Sequence, residues 1–106
     1  MTESTIRLVR AIKAIPKGRV SSYRDVALAA GLPNGARQTV RVLHTLSEKF
    51  DLPWHRVIRS SGGIALKNGE GRELQIGLLR AEGVEVSKEG RVDMDRFGSG
   101  AVYFKG

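Results

Sequence analysis

The sequence predicts a mainly α-helical fold with short β elements, a winged helix-turn-helix-like single domain over residues 1–106, and three observations predict it. Apolar residues recur at helical spacing through the first half of the chain. Two of the resulting helices are joined by a short Gly-containing connection, and the second carries arginines on its open face. After Asp51 the helical period breaks, and short apolar segments alternate with Gly, Ser and charged turns.

In chain order, residues 4–15 set Ile6, Val9 and Ile12, with Leu8 and Ile15 beside them, against Arg7, Arg10 and Lys13 on the other face. Pro16 ends this helix, because the residue before a proline is pushed out of the helical region. Pro16-Lys17-Gly18 makes a turn, and Ser21 or Ser22 can cap a second helix through Tyr23, Val26, Ala27 and Ala30, stopped at Gly31. Asn34 is the expected N-cap of a third helix reaching about Lys49. Ala36, Val40, Leu43 and Leu46 are expected on its inner side and Arg37, Arg41 and His44 on its outer side. Residues 53–58 read as extended or looped, 60–63 as a turn, and Ile64-Ala65-Leu66 as a short strand. A fourth helix from about Arg72 to Glu82 is expected to turn Leu74, Leu78 and Ala81 inward and to stop at Gly83. Val84-Glu85-Val86 and Arg91-Val92-Asp93-Met94 read as short strands around Lys88-Glu89-Gly90, and residues 98–106 as an end that can fray.

The chain has room for one hydrophobic core. Its 18 Lys and Arg exceed its 11 Asp and Glu, giving a net charge of +7 that points to a polyanionic partner, nucleic acid first. The sequence contains no cysteine, which excludes disulfides, thiolate metal sites and any reaction needing a protein thiol as nucleophile. His44 and His55 have no carboxylate at a metal-ligand spacing, so neither metal nor cofactor is expected. The apolar run over residues 26–33 falls far short of a membrane span, and the expectation is a soluble, cytoplasmic monomer without membrane contact.

The most specific segment is Leu52-Pro53-Trp54-His55-Arg56-Val57-Ile58, closing on Ser60-Ser61-Gly62. It resembles the Pro-Cys-His-Arg-Val active-site segment of the O6-alkylguanine-DNA alkyltransferases, with Trp54 in the cysteine position, the mark of the alkyltransferase-like proteins. The resemblance extends from Ile15-Pro16-Lys17-Gly18-Arg19-Val20-Ser21-Ser22-Tyr23 through Ala36-Arg37 to Leu79-Arg80-Ala81-Glu82-Gly83-Val84. Several motifs in family order, corresponding to the C-terminal DNA-binding domain of those enzymes, make a chance match improbable.

In that family the cysteine attacks the alkyl carbon of a flipped-out guanine and keeps the alkyl group. An indole cannot do so, because its nitrogen lone pair belongs to the aromatic ring. The resemblance therefore implies binding without transfer: a protein that holds O6-alkylguanine of double-stranded DNA beside Trp54, bends the duplex and marks the lesion for nucleotide excision repair proteins. While bound it would be nucleoid-associated. Tyr23 is implied to help rotate the nucleotide, and Val57, with backbone carbonyls near Trp54 and Val57, to read the base. Arg37 is implied to take the place of the extruded base, a role suited to a planar cation that can stack and donate several hydrogen bonds. Arg41 and His44, further along the same helix, and Ser60 and Ser61 are implied DNA contacts in the minor groove, and Lys67 can approach the base. His55 and Glu82, the counterparts of the catalytic network, are expected to persist as a structural hydrogen-bonded pair, directly or through water, and Arg56 as a structural residue.

The sequence also departs from the family pattern. Relatives often carry small residues where Val40 and Val42 stand, and Asn where Arg59 stands; the loop over residues 67–72 does not align residue by residue. Two other readings compete. A helix-turn-helix regulator accounts for the charge but leaves the Pro-Trp-His-Arg-Val segment unexplained, and an alkyltransferase or glycosylase would need some other residue to do the chemistry.

Overall fold

The computed structural model describes residues 1–100 and is mainly helical, with one two-stranded sheet. Helix α1 spans Glu3–Lys13, its N-terminus capped by Thr2, whose hydroxyl accepts from the Thr5 amide at 3.2 Å. It buries Leu8, Val9, Ala11 and Ile12, while Ile6 lies at the edge of the stripe and is exposed. Pro16 follows as expected, and the chain turns at Gly18, whose φ of +82° is open to glycine but strained for other residues.

Strand β1 is Ser21–Ser22 and pairs in parallel with β2, Val57–Ile58, with Ser21 opposite Val57 and Ser22 opposite Ile58. Of the two candidate caps, Ser22 serves helix α2, Tyr23–Ala29, accepting from the Asp25 amide at 3.0 Å, while Ser21 is buried in the strand. Gly31 is left-handed, which lets the Leu32 amide bond back to the Ala27 carbonyl at 2.8 Å and stop the helix.

Helix α3 is Ala36–Phe50, and two details differ from the sequence expectation. Gly35, not Asn34, is the N-cap: its carbonyl accepts both the Thr39 amide and the Thr39 hydroxyl at 2.9 Å. That bond satisfies the Thr39 side chain and allows it to be buried. The inner face of α3 is consequently Thr39 and Val42, and Val40, expected inside, is 50% exposed.

Past Asp51, the C-cap of α3 with φ of 50°, residues expected to be extended or looped form a 3-10 turn, Trp54–Arg56, leading straight into β2. Ile64-Ala65-Leu66 is not a strand; pairing there is confined to a single bridge between Gly63 and Arg91. Helix α4 is Glu70–Ala81, and its inner residues are Gln75 and Leu79. Leu74, expected inward, is 56% exposed, and Ala81 is exposed too. The face is rotated because the Gln75 amide bonds to the carbonyls of His55 and Val57. Residues 84–86 and 91–94 are not strands either. The segment between them is held by the Ser87 amide on the Arg91 carbonyl and by Arg80 on the Val86 carbonyl. Met94–Phe97 begins a short helix, α5, capped by Asp93. Of the tail expected to fray, Gly98 and Ser99 are paired with Val20; residues 101–106 lie outside the described residues.

The interior consists of two apolar clusters joined at β2. One gathers Leu8, Ile12, Ile15, Val26, Val42, Leu52 and Val57 between α1, α2 and α3. The other gathers Val20, Ile58, Ile64, Leu79, Val84 and Val92. Neighbouring residues of a strand point to opposite faces, so Val57 enters the first cluster and Ile58 the second. Complete burial of Ile58 and Leu79 contributes about 2 kcal/mol each. This seam anchors the 3-10 turn that carries Trp54.

Candidate nucleic-acid interface

Beside the seam lies a cavity of about 280 Å³ lined by Tyr23, Val40, Leu43, His44, Ser47, Trp54, Val57, Leu66 and Gln75. Each side chain is placed by a different element. Tyr23 is the first residue of α2, directly after the Ser22 cap, and Trp54 opens the 3-10 turn. Val40, Leu43, His44 and Ser47 recur at helical spacing along α3, Leu66 comes from the loop before α4, and Gln75 from α4 itself. None of the lining residues is a carboxylate.

The cavity is amphipathic in layers. Val57 and Gln75 are buried, Tyr23, Leu43, Ser47 and Trp54 are half-buried, and Val40, His44 and Leu66 form an exposed rim. Burial raises the Tyr23 hydroxyl above its usual pKa, opposed by the nearby Arg59 guanidinium, so the group stays a neutral hydrogen-bond donor at physiological pH. Arg59 thus has an electrostatic effect on the cavity wall that its position in the sequence did not reveal.

From His44 on the rim, an exposed stripe of α3 continues outward through Arg41 and Arg37, the three residues standing at positions i+7, i+4 and i. Among the described residues no carboxylate pairs with either arginine. Ser60 and Ser61 are exposed on the turn after β2. Gly62, at φ of +93°, holds that turn: any side chain there would collide with the Val92 carbonyl. The structure therefore brings Tyr23, Trp54, Val57 and His44 together around one cavity, with Arg37 and Arg41 continuing along the helix. Lys67 is not among the lining residues; its neighbour Leu66 takes that place.

Behind Trp54, Glu82 at the end of α4 gathers three segments. Its carboxylate accepts from His55 Nε2 at 2.8 Å, from Arg56 Nε and a terminal guanidinium nitrogen at 2.9 and 2.7 Å, and from the Gly18 amide at 3.1 Å. Arg56 also donates to the Ile15 carbonyl at 2.9 Å. These contacts, Arg56 first, then His55 and Gly18, hold the Glu82 pKa down at about 2 despite burial, which acts the other way. An ionised carboxylate only accepts, so His55 Nε2 carries a proton. The His55–Glu82 contact is direct, and Arg56 ties the C-cap of α4 to Ile15 in the segment after α1.

Sequence reasoning did not assign Leu43, Ser47, Leu66 or Gln75 to the site, and it placed Val40 on the inner side of its helix, where relatives often carry a small residue. For three of these a signal existed, since Leu43 and Ser47 stand at i+3 and i+7 from Val40 on the flank of the arginine stripe. Leu66 and Gln75 reach the cavity through tertiary packing alone.

Comparison with known proteins gives consistent results. Residues 3–84 match the family model of the 6-O-methylguanine DNA methyltransferase DNA-binding domain. The chain is 45% identical over 86% of its length to a DNA base-flipping protein of Escherichia coli, of which it covers 70%. It is 37% identical to alkyltransferase-like protein 1 of Schizosaccharomyces pombe, covering 81% of each chain. Among solved structures, S. pombe Atl1 in complex with damaged DNA containing O6-carboxymethylguanine superposes with a TM-score of 0.82 at 32% identity, over 92% of this chain and 95% of that one. A Mycobacterium tuberculosis OGT in complex with DNA superposes with a TM-score of 0.60 at 27% identity, over 77% of this chain and 50% of that one.

Proposed function

The chain belongs to the family of the 6-O-methylguanine DNA methyltransferase DNA-binding domain, and from that premise we propose that it is a non-catalytic sensor of alkylated DNA. It binds duplex DNA through the exposed stripe of α3, admits a flipped O6-alkylguanine to the cavity between Tyr23 and Trp54, and leaves the alkyl group in place for nucleotide excision repair. The observation that carries this reading is the position of Trp54, an aromatic wall of a cavity of about 280 Å³ beside arginines that pair with no carboxylate among the described residues, in a chain without a cysteine. His55 and Glu82 are paired behind it as they would be for activating a thiol, yet the chain has no thiol to activate.

Physical considerations support each step. Extruding a base costs a few kcal/mol, least for a damaged base, and is offset by stacking of the Arg37 guanidinium in the vacated space and by contacts in the cavity. The apolar rim of Val40 and Leu66 offers surface to an alkyl substituent, and the neutral Tyr23 hydroxyl is available to the base or its phosphate. The test is a titration of two duplexes identical except for one guanine or O6-methylguanine, followed by analysis of the recovered DNA. Tighter binding of the methylated duplex with the methyl group intact is expected. Equal affinities overturn the sensor reading, and loss of the methyl group makes the protein an enzyme.

A further inference from the structure

Ser21 lies opposite Val57 and Ser22 opposite Ile58, so Tyr23 and Arg59 are the residues with which the two strands leave the sheet side by side. Successive residues of an extended chain alternate between faces. Ile58 enters the second apolar cluster, and Val57 and Arg59 therefore face the other way, toward the cavity that Val57 and Tyr23 line. The Arg59 backbone is fixed there, its amide donating to the Gly63 carbonyl at 3.0 Å and its carbonyl accepting from the Gly62 amide at 2.8 Å. Its side chain is exposed and, unlike that of Arg56, pairs with no carboxylate among the described residues. The guanidinium acts on Tyr23, opposing the burial that raises the pKa of the hydroxyl. A neutral hydroxyl donor and a cation thus stand together at one edge of a cavity whose lining contains no lysine or arginine.

We propose that Arg59 is a positioning residue for the extruded nucleotide: together with the Tyr23 hydroxyl it binds a phosphate adjoining the base held in the cavity. This rests on the reading of the cavity as a base pocket and adds to it a fastening for the backbone of the flipped nucleotide. An extruded base stays joined to its sugar and two phosphates, so a base between Tyr23 and Trp54 brings an anion to the edge of the cavity. A guanidinium suits that anion because its planar fork can donate two parallel N–H bonds to the phosphate oxygens, and a protonated tyrosine hydroxyl adds one more donor. Arg37 and Arg41 come from α3, whereas Arg59 comes from the end of β2. Its charge therefore acts from the wall that carries Tyr23 and is used when the nucleotide leaves the stack.

The experiment uses the full chain and duplexes carrying guanine or O6-methylguanine at one position. The phosphate on either side of that nucleotide is replaced in turn by an uncharged methylphosphonate. The unsubstituted protein is expected to bind the O6-methylguanine duplex about tenfold more weakly when one of these two phosphates is neutralised, as for one charge-assisted hydrogen bond. Arg59→Ala is expected to lose about tenfold on the charged O6-methylguanine duplex, and neutralisation should then cost it only about two- to threefold more, the Tyr23 hydroxyl remaining. On the guanine duplex, where the nucleotide stays stacked, the same variant should lose only about twofold. Thermal melting verifies that it is folded. A neutralisation penalty undiminished in Arg59→Ala at both phosphates places the guanidinium elsewhere and overturns the proposal. Equal losses on the guanine and O6-methylguanine duplexes make Arg59 a cation of the duplex face, with the same consequence. Equal binding of the two bases by the unsubstituted protein would instead overturn the base-pocket reading, and this assignment with it.

Discussion

Arg37 and Arg41 are both exposed on α3 and pair with no carboxylate among the described residues; one turn of helix separates them, and the proposed function gives them different tasks. A guanidinium that replaces an extruded base contributes stacking and several directed hydrogen bonds, whereas one beside the backbone contributes a phosphate contact. Arg37→Ala should therefore weaken binding to an O6-methylguanine duplex more than Arg41→Ala; the opposite order in the same titration removes the intercalating role from Arg37. Glu82 provides a residue-scale prediction of another kind. Its folded pKa of about 2 lies below the ordinary 4.5, so its ionised contacts stabilise the fold fully above pH 4.5, and this contribution is lost as pH falls toward 2. The size is roughly 1–3 kcal/mol, solvent screening taking it below the full value of the shift. Glu82→Gln should be destabilised at neutral pH, where Arg56 loses its counter-charge, and the gap to the unsubstituted protein should narrow between pH 4.5 and 2. Urea unfolding at several pH values measures it, and a constant gap across that window would show that the carboxylate does not carry the charge assigned to it.

At the scale of the element, α3 depends on its first turn. A Cβ on Gly35 would sit 2.9 Å from Leu32 Cβ and 3.0 Å from the Leu32 carbonyl oxygen, closer than packed atoms tolerate. Gly35→Ala is thus expected to destabilise by about 1–3 kcal/mol, while Asn34→Ala, which removes no capping bond, should stay within about 0.5 kcal/mol; denaturant melts that reverse the two would restore Asn34 as the cap. The same helix shows what could be read from the amino-acid order. Helices α1, α3 and α4 were legible because their amphipathic period runs over several turns, and the two-turn α2 because a serine cap and Gly31 bound it. Their inner faces were misread at Val40 and Leu74 for one reason: counting apolar residues ranks Val and Leu inward, whereas Thr39 and Gln75 are buried because each brings its own hydrogen-bond partner. The strands left almost no period to read, being two residues long. Of the residues that line the cavity, Tyr23, Trp54 and Val57 were named through the family resemblance and His44 only as a DNA contact, while His55 and Glu82 were expected as a hydrogen-bonded pair on the same ground. Gln75 was not, since nothing local distinguishes a glutamine that faces a cavity from one that faces water.

Across the whole molecule the net charge of +7 does not say which cations are free to meet a polyanion. Arg56 is neutralised by Glu82, Arg7 and Arg96 are paired with Glu3 and Glu85, and Arg72, Arg80 and Arg91 donate to main-chain carbonyls. The unpaired arginines of α3 are instead concentrated beside the cavity mouth. If binding is driven by release of counterions from DNA, each phosphate neutralised changes the slope of log affinity against log salt by about −0.9. Arg41→Ala should make that slope shallower by about 0.9 on an undamaged duplex, where no base need be flipped. Arg96→Ala removes the same formal charge, but Arg96 bonds to Glu85 at 2.7 Å and stacks its guanidinium over Phe97 at 4.8 Å, so its removal should leave the slope unchanged. Salt titrations of the three proteins on one duplex separate the two expectations. Equal changes in slope would mean that the protein attracts DNA by its total charge, and would detach the arginine stripe of α3 from the binding face; a change confined to Arg41→Ala places the phosphate backbone along that helix, next to the cavity that receives the base.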